Sequence, residues 1–450
     1  MSAAKPRVSP SASRATPSAS PHTLASVSAV PIVDLFAGAG GLAEGFRQAG
    51  FAVLAGTDID PDACATFRLN FPGADTIWGD IKSPAIKEHV LAAASRAKVI
   101  VGGPPCQAFS QVRNHSRLID DPRNSLYREF VAVVAAVRPK AFVMENVPGL
   151  EQMGVKEQVL RDLSLEGEYV VRAQALDAAD FGVPQTRRRI VFIGMHRSLR
   201  KEPPVIAGSG ATDALSLARR NGSYPIRYRI RAAAADAGRL WSERLADPGD
   251  LTVVTAEQAI GDFARLRAGT RADALPLGVL PGATSAYQRL MRAGLGSEVL
   301  NTSVPRINAD TVLRLKGIPK GGNHRDLPEE LRDRYLTGAR WGPDAGNGRL
   351  SRRHYYAYRR LHPGFWCWTL NTKADSVYHY RDARALSVRE FARIQSFPDR
   401  FVFTTDRRGG MLPGRIDGGA AHSRYRQAGN AVPPLLARAI AEALREALLL

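Results

Sequence analysis

Cysteine is scarce: Cys64, Cys106 and Cys367 are the only three among 450 residues. An odd number with no CxxC or Cys/His ligand spacing argues against a disulfide framework and against a structural zinc site, so each thiol has to be judged alone. Acidic residues are also in deficit. Asp+Glu number 43 against 62 Lys+Arg, a formal charge of +19, which favours a polyanionic partner such as nucleic acid, with an anionic membrane surface as the alternative. Long apolar runs are missing, and the amino terminus lacks the apolar core of a signal peptide, so an intracellular protein is expected. What remains is ordinary. Hydrophobic residues at 44% and charged residues at 23% suit a globular chain, and its length suggests two or three domains.

The chain changes texture twice. Residues 1–30 are Ser, Ala, Pro and Thr with scattered Lys5, Arg7 and Arg14, a composition expected to stay a flexible basic tail. From Pro31 short β-rich runs alternate with helical segments. The strands expected are 32–36, 53–58, 99–102, 142–147, 170–175 and 190–195, with helices over 43–48, 61–69 and 126–137. That alternation predicts an α/β fold with a parallel, doubly wound sheet and ligands at the carboxyl ends of its strands. After His196 the rhythm fails. Residues 198–382 are Arg- and Gly-rich with weak periodicity, too long for a loop, and read as a second, irregular domain. Within it, 228–235 and 351–361 interleave Arg with Tyr and His, as a surface touching phosphates and bases would, or as a solvated charged face. The last segment, 433–450, is an apolar helix that needs a surface to dock against.

Chemistry concentrates in a few stretches. Asp34-Leu-Phe-Ala-Gly-Ala-Gly-Gly-Leu42 joins a strand to a helix through glycines, which let a ligand approach the backbone, although a tight structural turn or a dinucleotide-binding GxGxx[GA] would look alike. Asp58 ends the second strand and Asp80 follows Gly79 after the third. A carboxylate there can cap a helix or accept both ribose hydroxyls, and two such positions favour a nucleoside. Gly102-Gly-Pro-Pro-Cys-Gln-Ala-Phe-Ser110 presents Cys106 in a polar loop after a buried strand, where a thiol can be exposed and ionised. Cys64 and Cys367 read instead as small buried hydrophobes. Glu145-Asn-Val147 ends the adjacent strand and should stand beside Cys106, either salt-bridged or as a general acid with raised pKa. In Gln185-Thr-Arg-Arg-Arg-Ile190, alternation sends Arg187 and Arg189 to one face and Arg188 to the other.

Together with Arg389-Glu-Phe-Ala-Arg-Ile-Gln-Ser-Phe-Pro-Asp399 and Gln427-Ala-Gly-Asn-Ala-Val-Pro433, these stretches stand in one order, and in that order the chain resembles the bacterial-type cytosine-C5 DNA methyltransferases. The resemblance runs from Pro31 to about Met195 and from Ala385 to Leu450. Between them only position and a Thr369-Leu370 pair match. It implies a Rossmann-like S-adenosylmethionine-dependent domain over 31–197, a smaller target-recognition domain over 198–382, a motif and hinge over 383–423, and a segment, 424–450, that completes the catalytic domain. It also implies that Phe36, Ala37, Gly38, Ala39, Gly40 and Gly41 contact S-adenosylmethionine, with Asp58 on the ribose, Ile59 and Ile81 on the adenine, and Asp80 on its amino group. Pro105 completes that pocket, and Asn430 and Ala431 face the methionine part. Cys106 becomes the nucleophile, Glu145 the group at N3 and N4 of a flipped cytosine, and Arg187 and Arg189 the holders of the intermediate. No metal is implied. Ile59 departs from the aromatic residue that some members set against adenine.

The implied chemistry is thiolate addition at C6, methyl transfer to C5, and β-elimination, on double-stranded DNA with the base flipped out. The implied setting is a monomer in the cytoplasm, associated with the nucleoid, functionally paired with a restriction endonuclease. Arg352, Arg353 and Arg359 are candidates for reading bases. A transfer-RNA cytosine methyltransferase, a catalytically silent DNA-binding protein and a dehydrogenase are the rivals. The large middle region argues against the first, the presence of Cys106 and Glu145 gives no support to the second, and the third leaves the Pro-Pro-Cys loop without a role.

Overall fold

The computed structural model describes residues 29–105, 125–152, 155–213, 229–232, 250–263, 265–331, 358–406 and 419–449. Its centre is a seven-stranded sheet of β1 (Pro31–Leu35), β2 (Ala52–Asp58), β3 (Asp75–Trp78), β4 (Val99–Gly102), β5 (Ala141–Asn146), β6 (Tyr169–Asp177) and β7 (Arg188–His196), in the order β3-β2-β1-β4-β5-β7-β6. Strands β1 to β5 pair in parallel, but β7 runs antiparallel to both β5 and β6. The expectation of an all-parallel sheet is therefore corrected at its last two strands. A parallel crossover needs a dozen or more residues. The β6–β7 connection holds only the short 3-10 turn Ala178–Phe181 and a few residues beyond it, so the chain folds back as a hairpin.

Alternation within the central strands sorts their side chains between two cores. Ile32, Val99, Val101 and Val143 face one side, while Val33, Leu35, Ile100, Phe142 and Met144 face the other, as strands buried on both faces require. Helices α1 (Gly41–Gln48), α2 (Pro61–Asn70), α3 (Pro84–Ala94) and α4 (Ser125–Val137) return the chain between parallel strands. Helix α2 starts where its sequence says it should. Pro61 takes the first helical position, and the Asp60 carboxylate accepts from the Asp62 N–H at 3.0 Å.

Downstream of β7 the chain stays against β6. Gln174 donates to the Ile206 carbonyl at 2.6 Å, and Asp180 accepts from the Thr212 N–H at 2.9 Å. Beyond that, the described residues form short pieces: helices α5 (Ala256–Ile260), α6 (Ala286–Arg292) and α7 (Ala309–Gly317), and the antiparallel pair Ala274–Pro276 with Glu298–Leu300. Helix α8 (Val388–Ile394) opens with a capping box of Ser387 and Glu390. The apolar carboxyl-terminal helix finds its surface: α10 (Pro434–Leu449), after α9 (Gly419–Asn430), lies along α1, touching it at Gly45 and Ala437.

Three arginines are fully buried around α8. Arg384 grips Glu390 through both Nη atoms at 2.8 and 2.7 Å. Arg393 grips Asp399 at 2.8 and 2.6 Å and reaches Asp262 at 2.7 Å. Arg389 donates to the carbonyls of Leu300, Pro398 and Phe401. These bonds clamp the irregular region around α5 to the stretch that leads back into the sheet.

Candidate active site

A cleft of about 740 Å³ opens at the carboxyl ends of β1 to β5, where strand order reverses between β1 and β4. Its floor is the glycine turn. Phe36 leaves β1 at φ 59°, a left-handed conformation unusual for an aromatic residue, and its ring lines the cleft. Gly40 sits at φ 96°, and a Cβ there would meet the Phe71 ring at 2.6 Å, so no other residue fits. Gly40 and Gly41 lie behind the wall, against Phe71 and the Val432 carbonyl. Ala37, Gly38 and Ala39 form the wall itself.

Asp58 ties this turn to β2, accepting from the Gly38 N–H at 2.8 Å and the Asp60 N–H at 2.9 Å. Burial raises its pKa, and those backbone donors work the other way. Asp34 is wholly buried. One oxygen accepts from the Ala43 N–H of α1 at 3.1 Å, while Oδ1 has no partner among the described residues, and burial holds this carboxyl well above the usual range. Thr57 Oγ1 is likewise buried and unpartnered, and both residues line the cleft. Ile59, 65% exposed, is backed by Trp78, whose indole N–H donates to the Ile59 carbonyl at 3.2 Å. Asp80 and Ile81 follow along the same rim, and Asn430 and Ala431 face them from the end of α9. Apolar faces flanked by carboxylates fit a cationic nucleoside such as the S-adenosylmethionine the resemblance implies.

The other end of the cleft carries Glu145. Its carboxylate is ion-paired with Arg189 Nε at 2.6 Å. The antiparallel turn-back of β7 makes this possible, because the amino end of β7 then lies beside the carboxyl end of β5. Asn146 donates to the Pro104 carbonyl at 3.2 Å and so fixes the start of the Pro-Pro loop, with Pro105 on the cleft wall. Cys106 lies outside the described residues. Alternation in the arginine run holds: Arg188 is exposed, and Arg187 and Arg189 face the cleft. Arg187, however, is only 3% exposed, and its terminal nitrogens donate to the carbonyls of Leu370 at 3.2 Å and Gly429 at 2.9 Å. Burial and the nearby Arg189 charge pull its pKa well below the usual value, partly offset by Glu145.

Several cleft residues escaped the sequence reading. Thr57 gives no local signal. Asn146 sits inside a stretch singled out for its neighbour, and Arg426, paired with Asp60 at 2.7 Å across the rim, lies outside every stretch singled out in the sequence. Cys64 and Cys367 are buried as expected, and burial pushes the Cys64 thiol up to about 12 and Cys367 up as well. Arg352 and Arg353 lie outside the described residues. The Arg359 guanidinium packs over the Trp368 ring, 5.5 Å from its centre.

Comparison with known proteins bears on the family and the fold. The sequence pattern of the C-5 cytosine-specific DNA methylases matches residues 30–227 and 331–446. The type II methyltransferase M1.HphI of Haemophilus parahaemolyticus is 33% identical over 417 residues, 92% of this chain and 86% of that protein. M.AgeI of Thalassovita gelatinovora is 32% identical over 467 residues, covering 92% of this chain and 99% of its own. Among solved structures, a prophage-encoded DNA modification methyltransferase of E. coli superposes with a TM-score of 0.64 at 21% identity, covering 94% of this chain and 100% of that one. At that identity the likeness bears on fold alone.

Proposed function

The chain belongs to the C-5 cytosine-specific DNA methylases, and from that premise we propose how its cleft carries out the reaction. The activity is that of a DNA (cytosine-5-)-methyltransferase using S-adenosylmethionine. When bound, that molecule supplies an electrophilic methyl group. The chain's own residues do the rest. Asp58 and Asp80 receive the nucleoside's hydroxyl and amino groups, Phe36, Ile59 and Ile81 flank its rings, and Asn430 and Ala431 close the far wall.

Cytosine C5 is too weak a nucleophile to act unaided, so Cys106 adds its thiolate to C6 and the ring becomes an enamine. Glu145, in its acid form, gives a proton to N3 as negative charge develops there, with Arg189 holding its carboxyl group in place and within reach of O2. After C5 has taken the methyl group it loses its proton, the C6–sulfur bond breaks, and the thiolate returns. The target base must leave the duplex to reach this depth. The single observation that supports the reading is the Glu145–Arg189 pair beside the Pro104-Pro105 loop, on the wall of the same cleft that accepts a nucleoside.

Sequence choice belongs to residues 198–382. The family pattern leaves 228–330 unmatched, as expected of the part that differs between enzymes with different targets. The relatives' names as type II methyltransferases support a companion endonuclease for the same site, and the reading has the enzyme act as a monomer on cytoplasmic, nucleoid DNA. The test is bisulfite sequencing of unmethylated DNA incubated with the protein and S-adenosylmethionine. Protected cytosines within one recurring sequence are expected. Protection nowhere, or protection of transfer RNA instead, would contradict the assignment.

A further inference from the structure

Gln185 and Gln395 are fully buried, carry no charge and touch no cleft space, yet they sit at the meeting point of four chain segments. Gln185 donates to the Ile394 carbonyl at 2.9 Å and to Gln395 Oε1 at 2.6 Å, and its own Oε1 accepts from the Leu370 N–H at 3.2 Å. Gln395 passes the contact on, donating to the Ala428 carbonyl at 2.7 Å. Arg187 completes the ring through the Leu370 and Gly429 carbonyls. Both main-chain groups of Leu370 are therefore held by the segment that leads into β7. The Gly429 carbonyl also receives Gln395 at 3.3 Å.

The neighbours reinforce this arrangement. Cys367 pairs with the same segment, its N–H donating to Pro184 at 2.8 Å and its carbonyl accepting from Thr186 at 3.0 Å. The Thr369 hydroxyl donates to the Thr186 carbonyl at 2.6 Å. Gly429 approaches so closely that a Cβ there would lie 2.0 Å from the Asn371 carbonyl. The amide groups of both glutamines and both Nη atoms of Arg187 are bonded, and buried polar groups tied to this many segments specify one arrangement of them and resist intermediate ones.

What is joined matters. Residues 367–371 lie in the region that reads the target. Arg187 is two residues from Arg189, which holds Glu145. Gly429 directly precedes Asn430 and Ala431 on the nucleoside wall. We propose that Gln185, Arg187 and Gln395 form a positioning node through which the seat of segment 367–371, the alignment of Arg189 on Glu145 and the wall at Asn430 and Ala431 are set together, so that DNA and the nucleoside bind interdependently. Arg187 is then a positioning residue, since its terminal nitrogens are spent on main-chain carbonyls. The inference rests on the function proposed above.

The test measures the dissociation constant of the full chain for a duplex carrying the methylated sequence, with and without S-adenosylhomocysteine as an unreactive nucleoside. The wild type should bind DNA at least about fivefold more tightly with the nucleoside, and the nucleoside's affinity must rise by the same factor with DNA. Gln185→Met should bring that factor below about twofold, with Arg187→Lys retaining part of it. A merely structural role would weaken both affinities or lower the melting temperature and leave the factor alone. Thr369→Val, which removes one hydroxyl at the exposed edge of the node, serves if Gln185→Met does not fold, and should also lower the factor. A wild-type factor of one, or a factor unchanged in a folded variant, overturns the proposal. Methyl transfer is followed in parallel: with no transfer by the wild type the functional reading itself falls, whereas transfer with an unchanged factor removes only the node.

Discussion

Buried charge is handled in opposite ways in the cleft and in the junction around α8. At the junction Arg393 is buried with every guanidinium nitrogen bonded, and Arg384 meets Glu390 through both Nη atoms. Burial works against the Arg393 charge, but Asp399 and Asp262 outweigh it, and Arg384 holds Glu390 low against the same burial. In the cleft, Asp34 and Asp58 are pushed upward by burial, and Asp34 Oδ1 and Thr57 Oγ1 have no partner among the described residues. A carboxylate that meets a buried arginine fastens two elements together, whereas the cleft carboxyls Asp34 and Asp58 are raised by burial with no cation among the causes that act on them. Residue type alone does not tell the two apart.

The contrast predicts that damage in the two regions reads out differently. In the cleft, Glu145→Gln keeps shape and removes the acid, so the methyl-transfer rate should fall by about 10²–10⁴, while thermal melting moves by only about 4 °C or less. A rate loss under threefold would assign Glu145 to structure. At the junction, Arg393→Ala leaves Asp262 and Asp399 buried without their cation and should cost about 3–5 kcal/mol in denaturant unfolding. A loss below about 1 kcal/mol would mean that the clamp does not hold the irregular region to the sheet.

The smallest effect concerns His379, which is buried beside Arg384 and Glu390. Its Nδ1 accepts from the N–H groups of Arg381 and Asp382, and burial lowers its pKa to about 4, with the charges of Glu390 and Asp382 opposing and those of Arg384 and Arg381 assisting. The unfolded chain therefore takes up this proton first. The histidine's stabilising contribution is whole above pH of about 6.5 and is lost as pH falls toward 4, about 3 kcal/mol in all. His379→Gln should flatten the stability profile across that window. An unchanged slope would place the acid sensitivity elsewhere.

Much of the cleft is legible in the sequence because its residues end strands. The apolar runs 32–35 and 99–102 and the carboxylates after β2 and β5 give both the element and its functional edge. The turn-back of β7 is not visible in local periodicity, since a strand's pattern does not name its neighbour, and Arg189 reaches Glu145 only through that antiparallel pairing. Arg389 and Arg393 look like a basic helix face. Arg393 is buried against Asp399 at the end of the same stretch and Asp262, 131 positions away, and Arg389 against the carbonyls of Leu300, Pro398 and Phe401, pairings no local window can detect. Gln185 reads as the polar start of a strand until Gln395 and Leu370 are brought against it. Cys106 remains a reading from its loop and from the family resemblance.

The most direct test of the cleft as the site of cytosine-C5 methylation is nucleoside analysis of unmethylated DNA incubated with methyl-labelled S-adenosylmethionine and either the wild type or Cys106→Ala. Label confined to 5-methylcytosine with the wild type, and none with the variant, is the predicted result. Label in N4-methylcytosine or N6-methyladenine, or equal 5-methylcytosine from both proteins, would contradict it.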